Sequence, residues 1–243
     1  MISRKLIAQG AVLACGIACL SATVTDDFTA AGVGPAWTAR SFSGGVTSEL
    51  SGKLFFSSLT ANANAAARDG SVAGYLCKTH KLVFTQPWTM EMDYALTLPA
   101  MVGQNSAGAG GLMQFGNPAA TAVTQAQVMH GYGFYACRTS AGYRLALIQW
   151  QNGEWVDEDW VAPIPASGRI KIVYTASTDR LQVYVDNVLR KTYLSFRTNY
   201  AFSSVAHFGI GGASVEDTSF FTFVRQVAID NFTISGNGVV AGQ

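Results

Sequence analysis

A chain of 243 residues is long enough to form one all-β sandwich with a sizeable core. Only 13% of the residues are charged and the net charge is +1, while aromatic, β-branched, Gly and Ser residues are plentiful, a globular composition that favours strands. Without residues 1–22 the balance is 14 basic against 15 acidic residues, so nothing steers the protein to nucleic acid or an anionic membrane, both of which take clustered Lys and Arg.

Met1 to Ala22 reads as a signal peptide: Arg4-Lys5, an apolar run from Leu6 to Leu20, then small Ser21-Ala22. The run is short of the ~20 residues a spanning helix needs, and a short buried strand or helix is the alternative. Cys15 and Cys19 raise lipoprotein processing, but Val12-Leu13-Ala14 before Cys15 matches a lipobox poorly. The expected division is a signal at 1–22, a sandwich at 23–236 and a C-terminal tail at 237–243. Export implies an extracellular, periplasmic or cell-surface location, with no membrane insertion of the mature domain.

Removal of the signal leaves Cys77 and Cys137. An oxidising compartment permits a disulfide between them, which would stabilise by about 2–4 kcal/mol. Two buried thiols on different strands is the other reading, since bridging needs Cα atoms within about 7 Å. No CxxC or Cys/His cluster points to zinc.

Asp26-Asp27-Phe28 opens the mature domain, with Trp37 following. Thr47–Leu50 and Lys53–Ser57 are short strands around a Ser51-Gly52 turn, Thr60–Gly70 is a surface loop, and Tyr75–Lys81 is a strand or its approach. Trp88–Leu98 alternates cleanly, with Trp88, Met90, Met92, Tyr94, Leu96 and Leu98 on one face, until Pro99 ends it. Ala100–Val128 is Gly-, Ala-, Asn- and Gln-rich, interrupted by a strand at Gly111–Phe115. Such a polar stretch is either a binding loop or a disordered insertion.

Gly131–Arg138 and Gly142–Trp150 form a hairpin, and Glu154–Val161 adds Trp155 and Trp160 around Asp157-Glu158-Asp159. Gly168–Leu194 has the period-two pattern of an antiparallel meander, with turns at Ser177-Thr178-Asp179 and Asp186-Asn187. Ala206–Ala213 and Val224–Ser235 are the last strands. In the last, Val227 and Ile229 share one parity while Phe232 and Ile234 take the other, which a bulge near Asp230-Asn231 reconciles.

The opening Asp26-Asp27-Phe28 and Trp37, the hairpin YRLALIQWQNGEW, LQVYVDNVL and the closing VAIDNFTISG resemble the concanavalin A-like lectin/glucanase superfamily, and its laminin G-like bacterial modules in particular. The resemblance covers about residues 25 to 235. It implies an all-β, two-sheet antiparallel jelly-roll sandwich, one sheet concave and able to hold a saccharide, and transfers fold better than function. Sandwiches of this kind often hold a structural calcium where the first and last strands meet. Asp26, Asp27, Asp230 and Asn231 are oxygen donors there, with Asp27 and Asp230 as the metal pair, and turn, bulge or strand-end duties are the competing explanation.

Glycosidases of this fold set carboxylates on alternating strand positions. Glu91 and Asp93 supply half of that pattern, but Ala95 and Leu96 stand where the second catalytic carboxylate belongs. A lyase would use a Tyr/His pair with Arg neutralising a uronate, and His130, Tyr132, Tyr135, Arg138 and Arg144 are residues of those types without the family's motifs. No Gly-x-Ser-x-Gly elbow supports Ser/His/Asp hydrolysis. No catalytic residues are therefore assigned.

Binding has a more definite candidate. On Gly142–Trp150, Leu145 and Leu147 mark the core face, which turns Arg144 and Trp150 outward, with Trp155 and Trp160 close by in sequence. Aromatic rings stack on the C–H faces of sugars, so Arg144, Trp150, Trp155, Trp160 and Tyr135 form the candidate ligand-binding set, with burial in the core as the alternative for the tryptophans. The expectation is a carbohydrate-binding or adhesion module without catalytic activity. Its partner would be a glycan or polysaccharide, or cell-surface or matrix proteins. The alternatives are a glycoside hydrolase or polysaccharide lyase of the same fold, and a structural protein of an envelope, coat or matrix.

Overall fold

The computed structural model describes residues 21–29, 32–42, 45–58, 71–97, 109–116, 131–139, 141–151, 154–199, 205–215 and 225–242. Strands run in the order β1 (Ala22–Asp26), β2 (Trp37–Phe42), β3 (Gly45–Leu50), β4 (Lys53–Ser58), β5 (Ser71–Cys77), β6 (His80–Val83), β7 (Trp88–Thr97), β8 (Ala109–Gly116) and β9 (Gly131–Thr139). The chain continues with β10 (Gly142–Gln151), β11 (Glu154–Pro163), β12 (Ser167–Thr175), β13 (Arg180–Val185), β14 (Val188–Tyr193), β15 (Val205–Val215), β16 (Arg225–Gly236) and β17 (Val239–Ala241). A one-turn helix α1 (Phe196–Asn199) precedes β15. No helix among the described residues is long and apolar enough to cross a membrane.

Every described pairing is antiparallel, in two sheets. The first, of eight strands, runs β14-β13-β12-β7-β16-β4-β3, with β1 beside the C-terminal half of β16. The second, of nine, runs β11-β10-β9-β8-β15-β5-β2, with β6 and β17 attached through β15. This is a two-sheet antiparallel jelly-roll sandwich.

Its core follows from the alternation in the sequence. On β7, Trp88, Met90, Met92, Tyr94 and Leu96 are buried, while Glu91, Asp93 and Ala95 lie on the outer face. Ile170, Ile172, Tyr174, Leu181, Val183 and Val185 of the meander complete that sheet's inner surface. Burying one such aliphatic side chain contributes about 1.5–3 kcal/mol. Phe84, Trp88, Tyr174 and Phe196 pack edge-to-face or stacked between the sheets, with ring centroids 5.1–6.3 Å apart.

A turn and a bulge set the register at two points. Asp186 and Asn187 have φ of 51° and 64°, so the β13–β14 hairpin closes in the doubly left-handed turn that suits strand twist. On β16, Asp230 pairs with Asp93 but Thr233 with Glu91, leaving one extra residue, and Asn231 takes φ 48°. That bulge lets Val227, Ile229, Phe232 and Ile234 all enter the core.

The structure departs from the sequence reading at three places. Tyr75–Lys81 is divided between β5 and β6 by the Lys78-Thr79 bend. The stretch 237–243 is not a tail: Val239–Ala241 pairs with β6, Val83 N–H donates to Gly238 C=O at 2.8 Å, and Val239 is 2% exposed. The sandwich also begins at Ala22, inside the expected signal, because Ala22 pairs with Gly236. The Thr60–Gly70 loop, Leu98 and most of Ala100–Val128 lie outside the described residues.

Among the described residues, each open side of the sandwich carries a polar tie. On one, Lys191 of β14 donates to the Asp159 carboxylate and the Trp160 C=O of β11. On the other, Tyr75 O–H of β5 donates to Glu49 of β3 at 2.8 Å. Desolvation, with repulsion from Asp26, outweighs that hydrogen bond and raises the Glu49 carboxyl above its ordinary range.

Candidate ligand-binding face

Strand β10 sits between β9 and β11 and has two unlike faces. Leu145 and Leu147 are in the inter-sheet core, so Arg144, Ala146 and Ile148 occupy the outer face of the nine-stranded sheet. The register places Ala146 between Tyr135 of β9 and Trp160 of β11, and Arg144 beside Cys137. Leu145 pairs with Ala162 but Ala146 with Trp160, which leaves Val161 as an extra residue in β11. Val161 and Ala162 both face the core, and the bulge re-aims Trp160 toward Arg144.

The Arg144 guanidinium carbon lies 4.7 Å from the centre of the Trp160 ring. A cation over an indole at this distance is worth about 0.5–2 kcal/mol, more as water is excluded. Arg144 Nε is out of water and finds no acceptor among the described residues. Half-buried Trp160 is backed by Lys191, which donates to its carbonyl at 3.1 Å. On this face Tyr135, Cys137, Ala146 and Ile148 are fully buried, so what it offers at the surface is the half-buried Trp160 indole beside Arg144.

The other members of the expected set fare differently. Trp150 and Trp155 pair opposite each other at the end of the β10–β11 hairpin, while their side chains lie outside the described residues. Tyr135 shares the outer face but is fully buried, so it does not present itself to a ligand. Its ring lies along the strand over Gly133, where a built Cβ would come within 2.5 Å of Tyr135 Cε2. Glycine at 133 leaves nothing to prop the ring upright.

The proposed disulfide does not form: Cys77 and Cys137 both carry buried thiols. They lie on β5 and β9, with β15 and β8 between, so about 14 Å of sheet separates them at ~4.8 Å per strand. Cys77 also faces the core, whereas Cys137 shares the outer face with Arg144.

Each carboxylate of the calcium pair has one oxygen engaged within its own turn or bulge. Strands β1 and β16 do meet, but Asp27 accepts the N–H and O–H of Thr29 at 3.2 and 2.8 Å, and Asp230 accepts Asn231 N–H at 2.7 Å. Those hydrogen bonds from Thr29 hold the Asp27 carboxyl below its ordinary range. No group of three His, Cys, Asp or Glu residues able to hold a metal occurs among the described residues. Calcium takes six to eight oxygens, and among the described residues no third His, Cys, Asp or Glu joins Asp27 and Asp230 to build such a shell. The first-strand carboxylate with a defined task is Asp26, which the sequence reading named as a calcium donor rather than as a partner for Trp37. It accepts Trp37 Nε1–H at 2.7 Å and Phe28 N–H at 2.8 Å.

Glu91 and Asp93 lie on the outer face of the other sheet, both held by Arg169 at 3.2 Å. Asp93 also accepts Asn231 Nδ2–H at 2.8 Å, so the two carboxylates serve an ion-pair network. The residue types expected of a lyase are split between faces. Tyr132 points into the core and Arg138 covers the Tyr143 ring, while Tyr135 and Arg144 are on the outer face. His130 lies outside the described residues.

The fold is concanavalin A-like. Solved structures similar to this chain include peanut lectin (TM-score 0.57, 13% identity), with 90% of this chain and 98% of that one covered. The carbohydrate recognition domain of Emp47p is similar at TM-score 0.56 and 15% identity, over 88% of this chain and 94% of that one. The PL7 alginate lyase AlyA1 from Zobellia galactanivorans reaches TM-score 0.51 at 11% identity, over 77% and 79%. Lectins, a carbohydrate recognition domain and a lyase thus share this sandwich, and identities this low speak to the fold alone. Neither a protein-family model nor a curated protein matches the sequence.

Proposed function

We propose that the protein is an exported, non-catalytic carbohydrate-binding module that holds a glycan on the outer face of β9–β11. The observation that carries the reading is the Arg144–Trp160 pair, an indole beside a buried guanidinium Nε with no acceptor among the described residues. A sugar ring stacks on the half-buried indole, and a ring or substituent oxygen accepts from an Arg144 Nη–H, the Nε being enclosed. Lectins and a carbohydrate recognition domain among the structural neighbours support the same reading. Cell-surface or matrix glycoconjugates are the corresponding partners.

Glycan-array binding of residues 22–243, followed by calorimetry on the best ligand, tests it. Trp160→Ala and Arg144→Ala should each weaken binding at least tenfold, about 1.4 kcal/mol or more, while Glu91→Gln leaves affinity unchanged. Chelator should change nothing, because no step here uses a metal. Absence of saturable binding to any glycan overturns the proposal. Turnover of a bound polysaccharide would replace it with the enzyme alternative.

A further inference from the structure

The eight-stranded sheet carries a feature that the glycan-binding face does not use. On its outer side, Ser167, Ala95 and Ala228 pair in one row across β12, β7 and β16. Three small residues abreast leave a depression where larger side chains would fill the sheet surface. It forms a groove of about 440 Å³, within the range of small-ligand sites.

The rim has charges of both signs, and their partners decide what it can hold. Arg169 is engaged by both Asp93 and Glu91, each at 3.2 Å. Asp186 and Asp230 remain, each with one oxygen engaged: Asp186 Oδ1 accepts Arg169 N–H at 2.8 Å and Asp230 Oδ1 accepts Asn231 N–H at 2.7 Å. Lys53, also on the rim, makes no ion pair among the described residues. An anionic ligand would meet the two carboxylates and a cationic one would meet Lys53. A neutral ligand with several hydroxyls is repelled by neither, since its O–H groups donate to Asp186 and Asp230 while its oxygens accept from Lys53.

The carboxylate of Asp186 is also seated by its surroundings. A Cβ built on Gly168 would lie 2.7 Å from Asp186 Oδ1 and 3.0 Å from Oδ2, so the carboxylate rests directly on the glycine. Gly168 gives that carboxylate its place on the rim.

We infer that this groove is a second binding site, for one neutral sugar unit, with the Ala95 and Ala228 methyls beneath the ring and Lys53, Asp186 and Asp230 on its hydroxyls. It is independent of the Arg144–Trp160 face, which lies on the other sheet.

Alanine-methyl-labelled protein titrated with glucose, galactose, mannose and their neutral disaccharides tests the inference by NMR. The expected result is a saturable shift of the Ala95 and Ala228 methyls. Lys53→Met and Gly168→Ala should each weaken that shift's midpoint at least fivefold without lowering Tm by more than a few degrees. Shifts of Ala146 alone would overturn this site and leave the first proposal standing. Stationary Ala95 and Ala228 methyls overturn it whatever Ala146 does. Tighter binding in the groove of hexuronates or amino sugars than of neutral hexoses overturns the assigned chemistry.

Discussion

Asp179 shows how much one side chain can organise. It sits at φ 45° after the 3-10 turn Ala176–Thr178. Its Oδ1 accepts Tyr174 O–H at 3.0 Å and Arg197 N–H at 2.8 Å, and its Oδ2 accepts the N–H and O–H of Thr198. The meander turn is thereby tied to the start of α1, which seats fully buried Phe196. Burial pushes this carboxyl upward, but hydrogen bonds from Arg197, Tyr174 and Thr198 outweigh it and hold it below the ordinary range. A lowered folded-state pKa gives stability that is complete above the ordinary carboxylate pKa and is lost as pH falls through the lowered value. Asp179→Ala should cost about 1–3 kcal/mol near neutral pH by chemical denaturation. The variant should also lose part of the wild type's decline in stability below about pH 4. A second residue-scale case is Trp37, whose indole N–H meets Asp26 and whose ring packs on Phe232 at 5.4 Å. Trp37→Phe leaves Asp26 Oδ2 without its donor while Oδ1 keeps Phe28 N–H, and should cost about 1–3 kcal/mol, read as a shift of the denaturation midpoint at constant slope.

At the scale of elements, the two bulges matter more than strand length. The one at Asp230-Asn231 changes which parity of β16 faces the core part-way along, and the one at Val161 brings Trp160 over Arg144. Deleting Asn231 would remove the extra residue and leave Val227, Ile229, Phe232 and Ile234 in one straight period-two run on the core face. Strand β17 is the other decisive element. Its Val239 enters the core, and Gly242 N–H reaches Thr79 C=O at 2.7 Å. Truncation after Gly236 should lower stability by about 1.5–3 kcal/mol from lost burial of Val239 alone, measured as Tm against the full domain. A sequence reading stops at Gly236 because the Asn237-Gly238 turn and a three-residue strand carry too little periodicity to register as structure.

The whole molecule is held by apolar packing across two sheets, with a polar tie on each open side and no Cys77–Cys137 bridge. Under oxidising conditions, unfolded residues 22–243 should react with two equivalents of thiol reagent at Cys77 and Cys137, and reductant should leave Tm unchanged. Recovery of a Cys77–Cys137 cross-linked peptide by mass spectrometry would contradict the strand order. The Lys191–Asp159 tie is half-exposed, and Lys191→Met should cost no more than about 1 kcal/mol.

Period-two alternation is a local property, so the strands, their inward faces and the bulge at Asp230 were readable from the chain itself. Trp88 to Leu96 and Ile170 to Val185 needed no knowledge of their neighbours. The outward turn of Arg144 was equally legible, since Leu145 and Leu147 declare the opposite face. Strand order is a non-local property, set by which edges meet after collapse. It alone put two strands between Cys77 and Cys137, joined Glu91 and Asp93 through Arg169, and laid Ala95, Ala228 and Ser167 side by side. Burial of Tyr135 also waited on the tertiary structure, because a tyrosine over a glycine lies down or stands up according to what covers it, and that is decided by the packed fold.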